Sequence, residues 1–356
     1  MSSGIWIPHF GLDRQYKNLN SELIEATQAS LSGGNWNEGI FSERFSDWLQ
    51  QKTKTNHAIL CHSGTQALEI IAKYEIQKGK RTRIRVPNLT YPATANAFLT
   101  SGLHVDLGDC DTHGIMVADD SVLSCYVGLY GAPTHAVNKL SDDYVDGAQH
   151  WLIVNGHVGA GMAISFDPTK NLPASGNGGA LVTNDSKLAN FARSYVNNGK
   201  CPGSDFNFPG TNSKMSEQDC AQILVRTNYI DRWQERRKQI REYYINVFKN
   251  IHEDLYCLSS GFQEHADQKF VLRTYGHRDG LYDYLLGHGV EAKIHYPRVI
   301  SELGIGMLCI NKPELMLSAS YTLSKSVLSL PIYPELNDTE VEYIASLVVK
   351  YFTLLA

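Results

Sequence analysis

Between residues 21 and 78 the apolar positions recur at helical spacing. LIEATQASL (23–31) and FSERFSDWLQQ (41–51) each set an apolar face against a polar one, and after Ser63 the residues Ala67, Leu68, Ile71 and Ala72 share one face. Three amphipathic helices are predicted there. The period then changes. Ile84–Val86, Val105–Leu107, Leu123–Val127, Tyr144–Val145, Met162–Phe166 and Ala180–Val182 are short apolar runs bounded by Gly, Pro or Asp. Runs of that kind read as buried strands of a largely parallel sheet, with helical stretches between several of them.

SKLANFARSYVNN (186–198) predicts another helix, followed by a Gly/Pro/Asn-rich loop over 199–212 and one long helical region from about Ser216 to Lys249. Beyond it, strand patterns (KFVLRTY, AKIHYP) alternate with helical ones (DGLYDYLLGHG, EVEYIASLVVKYF). The fold class is α/β. The long helix is the expected exit from a larger domain, so the boundary is placed near Arg237, giving 1–236 and 237–356. At about 150 residues per domain, 356 residues fit that division. No internal repeat or low-complexity segment interrupts it.

Composition narrows the function classes. A net charge of -5 gives no general attraction for nucleic acid or anionic lipid. The two basic runs, 78–85 and 232–241, are short and read as solvated faces. No stretch of eighteen apolar residues and no apolar N-terminal run behind basic residues occurs, so no membrane partner and a cytoplasmic location are expected. The seven cysteines are scattered and never spaced CxxC, which points to reduced thiols with no metal site.

Four motifs could carry chemistry. SFDPTK places Lys170 just after a strand-like run and before the Gly-rich turn NLPASGNGG; alone it reads as a surface lysine, but an amine that must attack a carbonyl belongs at such a desolvated sheet edge. Ser165 could put a hydroxyl on a phosphate in the same crevice. YVDGAQHW ends a short strand at Asp146, 24 positions earlier. It reads equally as a turn residue or as a carboxylate that keeps a pyridine ring nitrogen protonated, with Gln149 donating to the ring's phenolic oxygen. HSGTQAL pairs a turn with a helix start, where Gly64, Thr65 and free N–H groups form an anion site as well as an ordinary cap. In VPNLTYPATANAF, Tyr91 could stack on a flat ring or fill a core.

Together with VGLYGAP, GTNSKMSEQDCAQ and KIHYP, these pieces occur in one order over roughly residues 5 to 350. In that set the chain resembles the DegT/DnrJ/EryC1/StrS family of sugar aminotransferases. The resemblance implies the type I pyridoxal-phosphate-dependent transferase fold: a large domain with a mixed, mostly parallel seven-stranded sheet, and a smaller C-terminal α/β domain. It implies pyridoxal 5'-phosphate as cofactor, Lys170 as the Schiff-base lysine and Asp146 as the pyridine-nitrogen partner. Gln149 matches the residue near the phenolic oxygen, Tyr91 the stacking aromatic, and Gly64, Thr65 and Ser165 the phosphate contacts. Asn212 matches a residue that reaches the neighbouring subunit's phosphate, which implies a homodimer with shared sites. His295 and Tyr296 fall near the sugar site. Three departures stand out: Lys214 where many members have Arg, Asn177 in place of a common Asp, and Pro173 with Ser175 in the preceding loop.

The implied reaction moves an amino group from an amino acid, with glutamate as donor, to a keto sugar linked to a nucleoside diphosphate. The turn after Lys170 is closer to relatives that act on 3-keto sugars than to those acting on 4-keto sugars. Two rivals are a family relative that dehydrates keto-deoxy sugars, which carries His where this chain has Lys170, and a noncatalytic regulator on the same fold. A plain nucleotide-binding protein would need a phosphate loop of the GxxxxGKS or GxGxxG kind, which the chain lacks.

Overall fold

The computed structural model describes residues 5–79, 82–119, 121–134, 142–203, 205–310 and 317–355. Lys80 and Arg81 of the basic run at 78–85 and Ser204 of the loop at 199–212 lie outside them.

Helices α1 (Leu12–Ser32), α2 (Ile40–Thr53) and α3 (Gly64–Gln77) match the three predicted amphipathic runs, α1 beginning well ahead of its run. Strand β1 (His57–Cys61) separates the last two and was not expected. Five residues between helical patterns carry too little period of their own to be read as a strand. Next come β2 (Arg83–Pro87), α4 (Ala93–Ser101), β3 (His104–Gly108), β4 (Cys125–Val127), β5 (Tyr144–Asp146), β6 (Gly161–Ser165) and β7 (Gly179–Thr183).

The sheet order is β1-β7-β6-β5-β4, with β7 antiparallel to both neighbours and β6, β5 and β4 parallel. In place of one seven-stranded ladder, the parallel pair β2–β3 continues this sheet through a single bridge, Arg85 to Ser124, in which the Arg85 N–H donates to the Leu123 carbonyl at 2.8 Å. Pro87 ends β2 with no N–H to extend the pairing.

Helix α5 (Ser186–Tyr195) is followed by α6 (Glu217–Thr227) and α7 (Ile230–Phe248) where one long helix was expected. The break follows Arg226, whose buried guanidinium donates to Gln15 and Ser175, while the Asn228 and Tyr229 N–H groups tighten onto the Val225 and Arg226 carbonyls. Glu217, also buried, accepts from the N–H groups of Gly39, Phe41 and Ser42 and so caps α2 from α6.

The remaining elements are β8 (Leu255–Cys257), β9 (Phe270–Thr274), α8 (Arg278–Gly287), α9 (Ser318–Ser326), β10 (Val327–Leu330) and α10 (Asp338–Thr353), with the antiparallel order β10-β9-β8. The predicted strand AKIHYP is reduced to one bridge between Lys293 and Ser329. Beyond it the His295 carbonyl is taken by the Tyr130 hydroxyl and Pro297 offers no N–H, so the chain leaves the sheet.

Apolar side chains on both faces of the large sheet form two clusters, and a third covers the small sheet. α7 joins them: Trp233 packs with the large-sheet cluster and Ile240 with the small-sheet cluster, which also holds Ile7 from the N-terminal end. A fourth cluster, including Leu89, Leu129, Tyr130, Leu258 and Val271, combines residues from before and after α7. No helix among the described residues is long and apolar enough to cross a membrane.

Candidate active site

β1, β4, β5 and β6 point the same way and end at one edge of the five-stranded sheet, in which β7 alone runs back. Such an edge gathers loops and helix N-termini. Ser63 follows β1 and caps α3, its hydroxyl accepting from the Gln66 N–H at 3.1 Å. The preceding N–H groups, of Gly64 and Thr65, have no acceptor among the described residues. They form the positive end of a fourteen-residue helix.

Gly179, first in β7, pairs with both Cys61 and Ser165. A methyl group on it would stand 2.2 Å from the Ser63 carbonyl carbon and 2.5 Å from the Gly64 nitrogen. The turn at 63–65 is therefore seated directly on the start of β7. Gly179→Ala is expected to push that turn away and to lower stability by about 1–3 kcal/mol, read as a fall in melting temperature of the purified chain.

Asp146 ends β5 and is buried. Its Oδ2 accepts from the Thr94 hydroxyl at 2.8 Å and its Oδ1 from the Ala148 N–H at 3.1 Å. Both partners are neutral. Burial raises its pKa above the ordinary carboxylate value, opposed by those two hydrogen bonds and the Lys170 charge. Gln149 accepts from the Tyr130 N–H at 2.7 Å through Oε1, which fixes its amide so that Nε2 faces the Tyr296 hydroxyl at 3.2 Å. Tyr130 holds this position with a left-handed φ of 65°. A strained backbone of this kind persists only where its surroundings hold it. Tyr91 is exposed, its ring centroid 5.9 Å from that of Tyr296.

Lys170 lies after β6 in a turn where its N–H donates to the Asp167 carbonyl at 2.9 Å. The Ser165 hydroxyl accepts from the Asp167 N–H at 3.3 Å, at the tip of the same strand. Burial pushes the Lys170 amine below its ordinary value, with Asp146 and Asp167 pulling it back up. A lowered value enlarges the neutral, nucleophilic fraction near pH 7. His295 faces the Ser329 hydroxyl at 2.8 Å through Nδ1, and burial together with the charge of Lys269 keeps its ring neutral.

Asn212 is exposed beside Ser213, whose carbonyl accepts from the His62 N–H at 2.8 Å, so it stands next to the turn that opens α3. Lys214 is occupied elsewhere, with Asn197 at 3.2 Å and Glu38 at 3.3 Å. Ser175 accepts from Arg226, and Asn177 is exposed.

The geometry thus gathers Gly64, Thr65, Tyr91, Asp146, Gln149, Ser165, Lys170 and Tyr296 around one sheet edge. His295 adjoins Tyr296, and Asn212 lies outward. Thr94, Tyr130 and Lys269 join them, and sequence reasoning singled out none of the three. Thr94 was within reach, three residues after Tyr91 at a helix start.

The sequence profile of the DegT/DnrJ/EryC1/StrS aminotransferase family matches residues 17–124 and 149–349. The chain belongs to the DegT/DnrJ/EryC1/StrS aminotransferase family. Among curated relatives it is similar to the dTDP-3-amino-3,4,6-trideoxy-alpha-D-glucose transaminase of Streptomyces venezuelae, with 29% identity covering 93% of this chain and 92% of that one. It is also similar to a "pleiotropic regulatory protein" of Geobacillus stearothermophilus, at 24% identity over 97% and 98% of the two chains. The crystal structure of S. venezuelae DesV superposes with a TM-score of 0.87, 25% identity and 98% of each chain covered. The fold is that of the pyridoxal-phosphate aminotransferases.

Pyridoxal phosphate is the cofactor of this family, and the residues present in this member fit it. The unpaired N–H groups at the start of α3 suit a phosphate. The buried Asp146 carboxylate, held only by neutral donors, suits a protonated ring nitrogen. The Gln149 amide keeps a second Nε2 hydrogen for a phenolic oxygen.

Proposed function

We propose that this protein transfers an amino group from an amino acid, L-glutamate, to a keto sugar linked to a nucleoside diphosphate, with a 3-keto sugar as the favoured acceptor. The observation that carries the proposal is the meeting, at one sheet edge, of a half-buried amine, a buried carboxylate and a helix start whose Gly64 and Thr65 N–H groups have no acceptor among the described residues. Bound pyridoxal phosphate supplies an aldehyde that captures amines and a ring that draws electrons from the substrate carbon.

The chain's own groups do the rest. The Lys170 amine is the covalent tether, and once released it carries the proton between the substrate carbon and the cofactor's C4′. Asp146 holds the proton on the ring nitrogen, and Thr94 and Ala148 hold Asp146. Gln149 donates to the phenolic oxygen, and Tyr91 covers one ring face. The Gly64 and Thr65 N–H groups and the Ser165 hydroxyl bind the phosphate, with His295 and Tyr296 bordering the sugar. Asn212, exposed beside the α3 turn, is assigned to the phosphate site of the partner subunit in a homodimer.

The likeness to a transaminase named for a 3-amino sugar supports the choice of acceptor. Division into domains at 1–236 and 237–356 accords with Trp233 and Ile240 packing in different clusters, with the segment near Ile7 joining the second. Scattered, free thiols support a cytoplasmic location.

The test loads the purified chain with pyridoxal phosphate and adds L-glutamate. The visible absorption band should bleach and 2-oxoglutarate appear, and the loaded protein should then aminate 3-keto nucleotide sugars faster than 4-keto ones. The name of the Geobacillus relative favours a regulatory reading. Cofactor binding without turnover on any keto sugar would support that reading instead.

A further inference from the structure

Lys269 stands one residue ahead of β9 and is 5% exposed. The segment around it is fastened to both flanks of Lys170. The Gln268 amide donates to the Thr169 carbonyl at 2.9 Å, and the Asn171 amide donates to the Ala266 carbonyl at 2.6 Å. The Lys269 N–H itself donates to the Tyr130 carbonyl at 3.0 Å.

Its ammonium lies 5.5 Å from the centroid of the Phe10 ring, and among the described residues no acceptor is within hydrogen-bond distance of it. The Lys293 ammonium is equally far from the same ring, but has Glu291 at 3.3 Å. Burial pushes the Lys269 pKa well down, and the charges of Lys170, Arg237 and Lys293, which outnumber Asp167, push it the same way. The nearby rings of His9 and His295 are held neutral by burial and by these same lysines. Its three N–H donors meet no acceptor among the described residues and stand in a positive field, which suits the arrival of an anion.

We propose that Lys269 binds a carboxylate of the amino-acid donor, making it a specificity-determining residue for the first half of the reaction. This rests on the aminotransferase reading above. Both substrates bring anionic groups into the site, the donor its carboxylates and the acceptor its diphosphate. The donor carbon that must meet Lys170 carries a carboxylate one bond away, whereas the sugar ring separates the diphosphate from the keto carbon. A cation clamped to the flanks of Lys170 is placed for the former, and Lys293, against the same Phe10 ring, adds to its potential.

The two half-reactions can be followed separately by absorbance. Lys269→Met and Lys269→Gln should each raise the glutamate concentration giving half-maximal rate by about tenfold or more, leaving half-saturation by the nucleotide sugar unchanged. Calorimetry with glutarate, which has no amine to react, should show binding to the cofactor-free wild type that both variants lose. Glutarate should also slow acetylation of Lys269 in the wild type, a readout that needs no variant to fold. A shift in nucleotide-sugar saturation with the glutamate response intact overturns the proposal, as does a working transaminase indifferent to both substitutions. A chain that binds glutarate through Lys269 yet transfers no amino group would keep this inference and remove the transaminase reading alone.

Discussion

Lys170→Ala should lower transamination by about 10⁴-fold, because one amine is removed from two duties, tether and proton carrier. The variant should still hold pyridoxal phosphate, since the α3 N–H groups, the Ser165 hydroxyl and the Asp146 carboxylate are untouched. Its spectrum should be that of the free aldehyde, and reduction with borohydride should no longer attach the cofactor to the chain, as mass spectrometry of the intact protein would register. Lys170→Arg is the sharper control: it restores a positive charge beside Asp146 and Asp167 but offers neither a nucleophile nor a base at neutral pH. It should be as inactive as the alanine variant. Mixing Lys170→Ala with Asn212→Ala subunits should regain part of the activity, because in a hybrid dimer with shared sites one of the two sites carries neither change. Turnover by Lys170→Ala within about tenfold of wild type would remove Lys170 from the chemistry.

What the sequence made legible is the set of residues whose neighbours along the chain also decide their surroundings. Ser63 to Thr65 could be read as a helix start, and Asp146 and Lys170 each follow a short apolar run, so their places at strand ends could be inferred. Pairing that depends on distant partners could not be read. β1 is five residues whose strand character comes from Gly179 to Thr183 across the sheet. AKIHYP has the composition of a strand, yet the Tyr130 hydroxyl claims the His295 carbonyl from 165 positions away. The break between α6 and α7 follows from Arg226 turning inward to Gln15 and Ser175, neither of which is near it in sequence. Lys269 shows the same limit at the site itself. QKF reads as an ordinary strand entry, and bonds to distant residues, Gln268 to Thr169 and Asn171 to Ala266, bring it to Lys170.

Asp146→Asn should separate stability from function. Asparagine fits the same contacts: its Oδ1 can accept from the Ala148 N–H and its amide can donate to the Thr94 hydroxyl, which in turn can donate to Thr90 at 3.2 Å. The charge alone is lost. With cofactor bound, that charge is the partner of the ring-nitrogen proton, and losing one member of a buried pair costs about 3–5 kcal/mol, so turnover should fall by roughly 10²- to 10⁴-fold. In the cofactor-free chain the sign reverses. Burial holds the folded-state pKa of Asp146 above its unfolded value, so the folded chain binds more protons between the two, and stability drops as pH rises through that window. Above the folded value the whole penalty is present, and asparagine never incurs it. Cofactor-free Asp146→Asn should therefore melt above wild type at pH 7, with the gap closing below the ordinary Asp pKa of about 4. The same substitution should weaken pyridoxal phosphate binding. A higher melting temperature without cofactor, joined to slower catalysis with it, is what a carboxylate kept for a bound cation demands. A variant less stable at pH 7 and equally active would make Asp146 an ordinary strand-end turn residue.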